Sequence, residues 1–277
     1  MVATSISSLL RHGVSRNEQT SLRKMTEKGK LRIGTSGIVL PGNKETFPAT
    51  FHGKSRLINY ASLLNTVEIN STFRKIPRAT TFLRWAEETG PGFQFTLKLV
   101  KTVTHVKPLQ PDLNALQSFI EAANHLGNKK ACLLVQFPGS ITSAYEQQVQ
   151  QVMHNLHLAD HEENWLKAVE FRSDTWYNDD LIDKLQQWKA TLVLHDMLKS
   201  NNLHLHPSTS FCYFRFHGPT GDYRGSYSTT FLQGQAKKIA ALLAEGKDVY
   251  VYFNNTMGNA FENAVQLRGL IDELYCV

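Results

Sequence analysis

Residues 67–73 read VEINSTF. Val67, Ile69, Thr72 and Phe73 favour extended backbone, yet Glu68 and Asn70 alternate with the first apolar pair. Successive side chains of a strand point to opposite faces, so Val67 and Ile69 share one surface and Glu68 and Asn70 the other. A carboxylate on one face of a core strand needs a partner or a task, and the other strands indicate which.

Working outward, the strand candidates are LRIGT (31–35), NTVEINS (65–71), FQFTLKL (93–99), ACLLVQF (131–137), KAVEFR (167–172), TLVLHD (191–196), FCYFRFH (211–217) and DVYVYFNN (248–255). Between them lie stretches with apolar residues at three and four spacing, and NAFENAVQLRGLIDELY closes the chain as a last helix. Asn178 and Ser228 ahead of apolar periods, Pro111 after a loop, and Gly127 and Gly246 behind them serve as start and stop signals. This alternation predicts a single-domain TIM-type (β/α)8 barrel over residues 31–277, with a helix-poor connection, MLKSNNLHLHPSTS, between strands six and seven. An open doubly wound sheet is the alternative; GTSG at 34–37 is too short for a dinucleotide fingerprint, so no nucleotide cofactor is expected.

The period-two pattern repeats in most strands. Thr96 and Lys98 oppose Phe95 and Leu97, Glu170 and Arg172 oppose Val169 and Phe171, Arg215 and His217 oppose Phe214 and Phe216, and Asn254 opposes Phe253. Leu134 with Gln136 and Leu194 with Asp196 continue the series. In a barrel the second face points inward, and inward residues near strand C-termini line the mouth where barrel enzymes carry their active sites. Glu68, Asn70, Lys98, Gln136, Glu170, Arg172, Asp196, Arg215, His217 and Asn254 are therefore predicted to converge. A purely structural ion-pair network is the competing reading, but buried ions are a costly way to pack a core.

Net charge is +6, but residues 1–30 hold six Lys and Arg against Glu18 and Glu27, leaving only +2 for the other 247 residues. Nucleic-acid binding by the barrel itself is thus not expected, and residues 1–30 read as a flexible basic tail. A transit peptide would share the tail's early lack of acids, but its apolar content is low. No apolar run approaches the roughly 18 residues that cross a bilayer. Cys132, Cys212 and Cys276 are far apart and form no CxxC pair. A soluble cytoplasmic protein is expected.

The strand ends carry ordered motifs: GTSG, VEINSTF with Pro77, FTLK with Thr104 and His105, QFP (136–138), VEFR with Trp176, RFHG (215–218) and VYFNNTMGNAFENA. Together they resemble the YecE-like family, domain of unknown function 72, over residues 31–275. The resemblance implies a (β/α)8 barrel and no settled activity. Ile38 stands where the family tends to have Trp, and Arg74 where it tends to have Tyr.

A glycosidase pair on strands four and seven is disfavoured, because Gln136 and Arg215 stand there. A divalent metal on Glu68, Glu170, Asp196 and His217 would make a hydrolase or isomerase, although Lys98, Arg172 and Arg215 would compete for the carboxylates. The mixed charge best suits acid/base chemistry on a small anionic or polyhydroxylated substrate gripped by Arg172 and Arg215. In that reading Glu68, Lys98, Glu170 and His217 are catalytic, while Thr35, Ser36, Asn70, His105, Gln136, Asp196, Tyr227, Asn254 and Asn255 bind and orient. Tyr223 and Tyr227 stand in a loop placed to cover the ligand, and a Schiff base on Lys98 would need desolvation that the nearby ions hinder. His204 and His206 are expected to be solvated, and Trp85, Trp165 and Trp188 to pack. A non-catalytic small-ligand or nucleic-acid-binding protein is the remaining class.

Overall fold

The computed structural model describes residues 28–42, 46–204 and 211–275. Eight strands form: β1 (Leu31–Thr35), β2 (Thr66–Ile69), β3 (Gln94–Lys98), β4 (Lys130–Phe137), β5 (Leu166–Phe171), β6 (Ala190–His195), β7 (Phe211–Phe216) and β8 (Asp248–Phe253). They are joined by α1 (Arg56–Leu63), α2 (Ala79–Glu87), α3 (Leu113–Ala123), α4 (Glu146–Ala159), α5 (Leu181–Gln187) and α6 (Thr229–Ala244), and α7 (Ala260–Tyr275) follows β8. All paired strands are parallel, in the order β1-β8-β7-β6-β5-β4-β3-β2. A bridge between Ser36 and Glu68 joins the two ends into a nearly closed (β/α)8 barrel.

Helix starts follow from local chemistry. The side chains of Ser55, Asp112 and Ser228 accept from the N–H of Ile58, Ala115 and Phe231, satisfying donors that no earlier turn can reach. Asp112 rather than Pro111 thus caps α3, and α5 starts after Asp180 with no side-chain cap, so Asn178 does not act there. Gly246 ends α6 at φ 79°, a conformation that favours glycine. Residues 196–204 contain no helix, and the rest of that connection, including His206, lies outside the described residues, as do residues 1–27 of the basic tail and Cys276.

Two apolar layers result. The larger lies between strands and helices and holds Val67, Ile69, Phe95, Leu97, Val169, Phe171, Phe214 and Phe216. Each such side chain contributes about 1.5–3 kcal/mol by leaving water. The smaller fills the barrel with Cys132, Leu134, Ala168, Val193, Tyr213, Tyr250 and Tyr252 among others. Its tyrosines bring hydroxyls that need partners. Tyr252 Oη lies 2.8 Å from Thr66 Oγ1 and 2.7 Å from Thr96 Oγ1, and Tyr213 Oη donates to Glu68 Oε2 at 2.6 Å. The interior therefore grades from apolar to hydrogen-bonded to charged toward the strand C-termini.

The β1–β2 joint is made differently from the others. Asn65 accepts from Ile33 N and donates to Leu31 O, both at 2.9 Å, and Tyr60 Oη accepts from Thr35 N at 2.8 Å and donates to Thr66 O at 3.1 Å. A Cβ on Gly34 would stand 2.1 Å from Thr66 O, so only glycine allows this approach.

Strand six corrects one sequence expectation. Leu192 and Leu194 pack in the outer layer and Val193 in the inner one, so His195, not Asp196, continues the inward face. Leu192, Val193 and Leu194 are apolar on both faces, so alternation gives no clear phase there.

Candidate functional site

The strand C-termini surround a cavity of about 780 Å³. Its wall is built from the ends of β2, β3, β4, β5, β7 and β8, which deliver Asn70, Lys98, Gln136, Arg172, Arg215 and Asn254. The turns that follow add Ser71, Phe73 and Arg74 after β2, Pro138 and Gly139 after β4, and Tyr223 after β7. Tyr223 has φ 69°, unusual for a bulky side chain, and is held there as its N–H donates to His217 O at 2.7 Å and its own carbonyl accepts from Met257 N at 3.0 Å. Among the described residues, the charged side chains of the lining are Arg74, Lys98, Arg172 and Arg215, with no carboxylate among them.

Glu68 and Glu170 lie one layer deeper, fully buried, with Arg215 between them. Arg215 Nη2 donates to Glu68 Oε1 at 2.8 Å and Nη1 to Glu170 Oε2 at 2.6 Å. Glu68 also accepts from Ser36 Oγ and Tyr213 Oη, each at 2.6 Å, while Glu170 Oε1 accepts from Arg172 Nε. Burial alone would push both carboxyls up. Arg215, with the Ser36 and Tyr213 hydroxyls, instead holds Glu68 below its ordinary value, and Arg172 with Arg215 holds Glu170 well below. Both are ionised anchors, and burial of Arg215 is outweighed by Glu170 and Glu68, which raise its affinity for a proton.

Arg172 also reaches His217, with Nη2 at 3.0 Å from Nε2. A guanidinium can only donate, so Nε2 accepts and Nδ1 carries the hydrogen, facing Asp196 Oδ1 at 3.3 Å. Burial lowers the His217 pKa despite Asp196, consistent with this neutral tautomer. Asp196 further accepts from His217 N at 2.7 Å and from Tyr227 Oη. His195 accompanies His217, with ring centroids 5.8 Å apart, and its Nε2 lies 3.1 Å from both Phe171 O and Tyr177 Oη.

Lys98 Nζ donates to Gln136 Oε1 at 2.7 Å and stands 4.2 Å from the centre of the Phe73 ring. Among the described residues no carboxylate pairs with it. Burial, then the Arg215 charge, lowers its pKa to about 8. His105 follows a short helical turn (Lys101–Thr104), bonds Thr104 Oγ1 through Nδ1 at 2.8 Å and meets Phe73 edge-on at 4.7 Å. Burial and the neighbouring Lys98 and Arg172 charges lower it to about 4, so it is neutral near pH 7.

The structure thus gathers Glu68, Asn70, Lys98, Gln136, Glu170, Arg172, Arg215, His217 and Asn254 at the mouth or directly beneath it. Ser36 supports Glu68 from below. Thr35 instead bonds Tyr60 and Gly37 O, and Asn255 donates to Gly225 O and Asn263 Oδ1, so both are turned to the framework. Tyr227 stacks on Phe231 with Asp196 on its hydroxyl, leaving Tyr223 as the tyrosine that faces the cavity. The four residues considered for a metal divide into the Arg215-bound carboxylates and the Asp196–His217 pair, and among the described residues no three His, Cys, Asp or Glu form a metal-binding group. His204 is exposed, while Trp165 and Trp188 are buried and Trp85 packs against the core. Phe73, Pro138 and Gly139 were not anticipated as lining; the STF and QFPG turns directly after strand ends were the available signal. Among the described residues no helix is long and apolar enough to cross a membrane.

A family model described as "Protein of unknown function DUF72" matches residues 32–275. The chain belongs to the DUF72 family. Among relatives of this DUF72 barrel, the UPF0759 protein YunF of Bacillus subtilis (strain 168) is 24% identical over 262 residues, 83% of this chain and 91% of YunF. The UPF0759 protein YecE of Escherichia coli (strain K12) is 28% identical over 88 residues, 32% of each chain. A DUF72 crystal structure from Thermotoga maritima MSB8 superposes with a TM-score of 0.71 at 24% identity, covering 88% of this chain and 99% of that one. These likenesses agree with the barrel and leave the chemistry to the residues of the mouth.

Proposed function

We propose that the protein is an enzyme whose mouth binds a small anionic substrate and acts on it by acid/base chemistry. The observation that carries this reading is the sorting of charge by depth. Arg74, Lys98, Arg172 and Arg215 line the cavity, whereas Glu68 and Glu170 lie behind Arg215. A carboxylate or phosphate entering the mouth therefore meets, among the described residues, positive charge only, in a site partly shielded from water where charge-assisted hydrogen bonds are strong. Arg172 is placed to grip the anion, and the Asn70, Gln136 and Asn254 amides to orient hydroxyls on it. Asn70 Oδ1 and Arg215 Nε, two buried atoms on lining side chains without protein partners, add one acceptor and one donor.

Lys98 is the group placed to exchange a proton, since its pKa of about 8 lies near neutral operating conditions. Glu68 and Glu170 fix Arg215 rather than accept protons, because their carboxyls are held low by the surrounding donors. The test is a thermal-shift titration with inorganic phosphate and small dicarboxylates against neutral polyols. Dose-dependent stabilisation by the anions, reduced in Arg172→Gln, is the expected result. Equal response to anions and polyols, or an undiminished response in the variant, would overturn the reading.

A further inference from the structure

We infer that Lys98 forms a covalent imine with an anionic aldehyde or ketone held in the mouth. This deepens the proposed function and rests on its anion site. Lys98 is the last residue of β3 and lines the cavity. Two buried lysines show what a structural role looks like: Lys129 Nζ donates to Thr89 O at 2.6 Å and Gly90 O at 2.5 Å, and Lys167 pairs with Asp160 at 2.5 Å, whereas Lys98 is only partly buried. Lys98 has instead one amide oxygen, on Gln136, and the face of Phe73. The ring face returns part of the lost hydration but takes no hydrogen bond.

The nearby carboxylates are engaged elsewhere. Glu170 is held by Arg172 and Arg215, and Glu68 by Arg215, Ser36 and Tyr213, so their charges only partly offset the burial and the two guanidinium groups around Lys98, which is partly buried and, among the described residues, has no carboxylate paired with it. Desolvation and a neighbouring cation are the two ways a lysine amine becomes nucleophilic near neutral pH. The lowered pKa of about 8 agrees with this geometry. The same guanidinium groups supply the anchor for a carboxylate or phosphate on the substrate, which would bring an attached carbonyl beside Nζ.

The step balances within the site. Lys98 first loses a proton to water, and the free amine adds to the carbonyl carbon, forming the C–N bond as the C=O π bond opens to a carbinolamine. The former carbonyl oxygen then leaves as water, taking up protons equivalent to those released by nitrogen. The product is an iminium with the single positive charge the ammonium began with. No external oxidant or reductant takes part.

The experiment incubates the full chain with pyruvate or glycolaldehyde phosphate, traps with sodium cyanoborohydride across a pH series, and maps the adduct by peptide mass spectrometry. A reduced adduct on Lys98, with a labelling rate rising through a midpoint near pH 8 and an adduct yield at least about tenfold lower in Lys98→Arg, is expected. Absence of the Lys98 adduct, or labelling spread over surface lysines and unchanged in the variant, would overturn the inference. The phosphate thermal shift is read on the same samples, with circular dichroism confirming that Lys98→Arg is folded. Phosphate stabilisation without an adduct overturns the imine and leaves the anion site standing; loss of both overturns both.

Discussion

Arg215 Nη2 stands 2.8 Å from Glu68 Oε1, tying β7 to β2 through the barrel interior. Both side chains are essentially inaccessible to water, at 1% and 0% exposure. Removing one partner of a buried pair costs about 3–5 kcal/mol because the other charge is stranded. Arg215→Met leaves Glu68 without a cationic partner and Glu170 with Arg172 alone, so urea unfolding is expected to show a loss of that order. A loss below about 1 kcal/mol would mean that the hub is not needed for stability.

The same hub sets the response to acid. Glu68 and Glu170 have folded pKa values below their unfolded ones, so the unfolded chain binds protons first as pH falls. Their contribution is complete above the ordinary value of 4.5 and is lost as pH drops through the folded values. Unfolding free energies measured downward from pH 6 are expected to fall steeply below that point. Arg215→Met is expected to flatten the slope.

Lys98 changes stability with pH in the same sense, as a penalty relieved rather than a contribution gained. Its folded pKa of about 8 lies below the ordinary 10.5, so the penalty for burying the ammonium is fully present below pH 8 and is relieved between the two values. Compared with Lys98→Met, the wild-type protein is expected to gain stability from pH 8 to 10.5, read as a shift in urea midpoint. A difference that does not change over this window would contradict the burial assigned to the amine.

Arg172 separates binding from folding. Its side chain is 14% exposed, and removing it leaves Glu170 with Arg215. Arg172→Gln is therefore expected to weaken phosphate binding roughly tenfold or more, as losing a charge-assisted contact does, while costing less stability than Arg215→Met. Calorimetry for the first and urea unfolding for the second check the two halves.

Gly34→Ala tests the β1–β2 joint. The added methyl would press on Thr66 O and on Tyr60 Oη, 2.1 and 2.9 Å from the ideal Cβ position. Overpacking of this kind costs about 1–3 kcal/mol or more. A neutral result by urea unfolding would show that the joint can spread.

All eight strands and the inward placement of Glu68, Lys98, Gln136, Glu170, Arg172, Arg215 and His217 were legible in the sequence, because polar side chains alternate with apolar ones in those runs. Phase is lost in TLVLHD, where Leu192, Val193 and Leu194 are apolar on both faces, so Asp196 reads as inward in place of His195. Tyr227 and Asn255 belonged to loops whose polar groups serve one another, as in Asn255 with Asn263, and composition does not distinguish such a loop from a ligand cover. Nor does alternation report depth. That Arg215 would screen both glutamates from the cavity depends on its reach from β7, which three-dimensional packing decides.

One stave of the barrel is fastened by rotamers. Elsewhere a ladder of main-chain bonds fixes each strand to the next, but β1 is held to β2 by the Asn65, Tyr60 and Ser36 side chains together with one main-chain bond, Gly37 N–H to Glu68 O at 2.7 Å. Ser36 grips the same carboxylate that steadies Arg215, so the hoop's fastening and the charged hub share one clasp. Glu68 thus belongs to two structures at once, the seam of the barrel and the charged floor of its aperture, and a substitution at Ser36 bears on both.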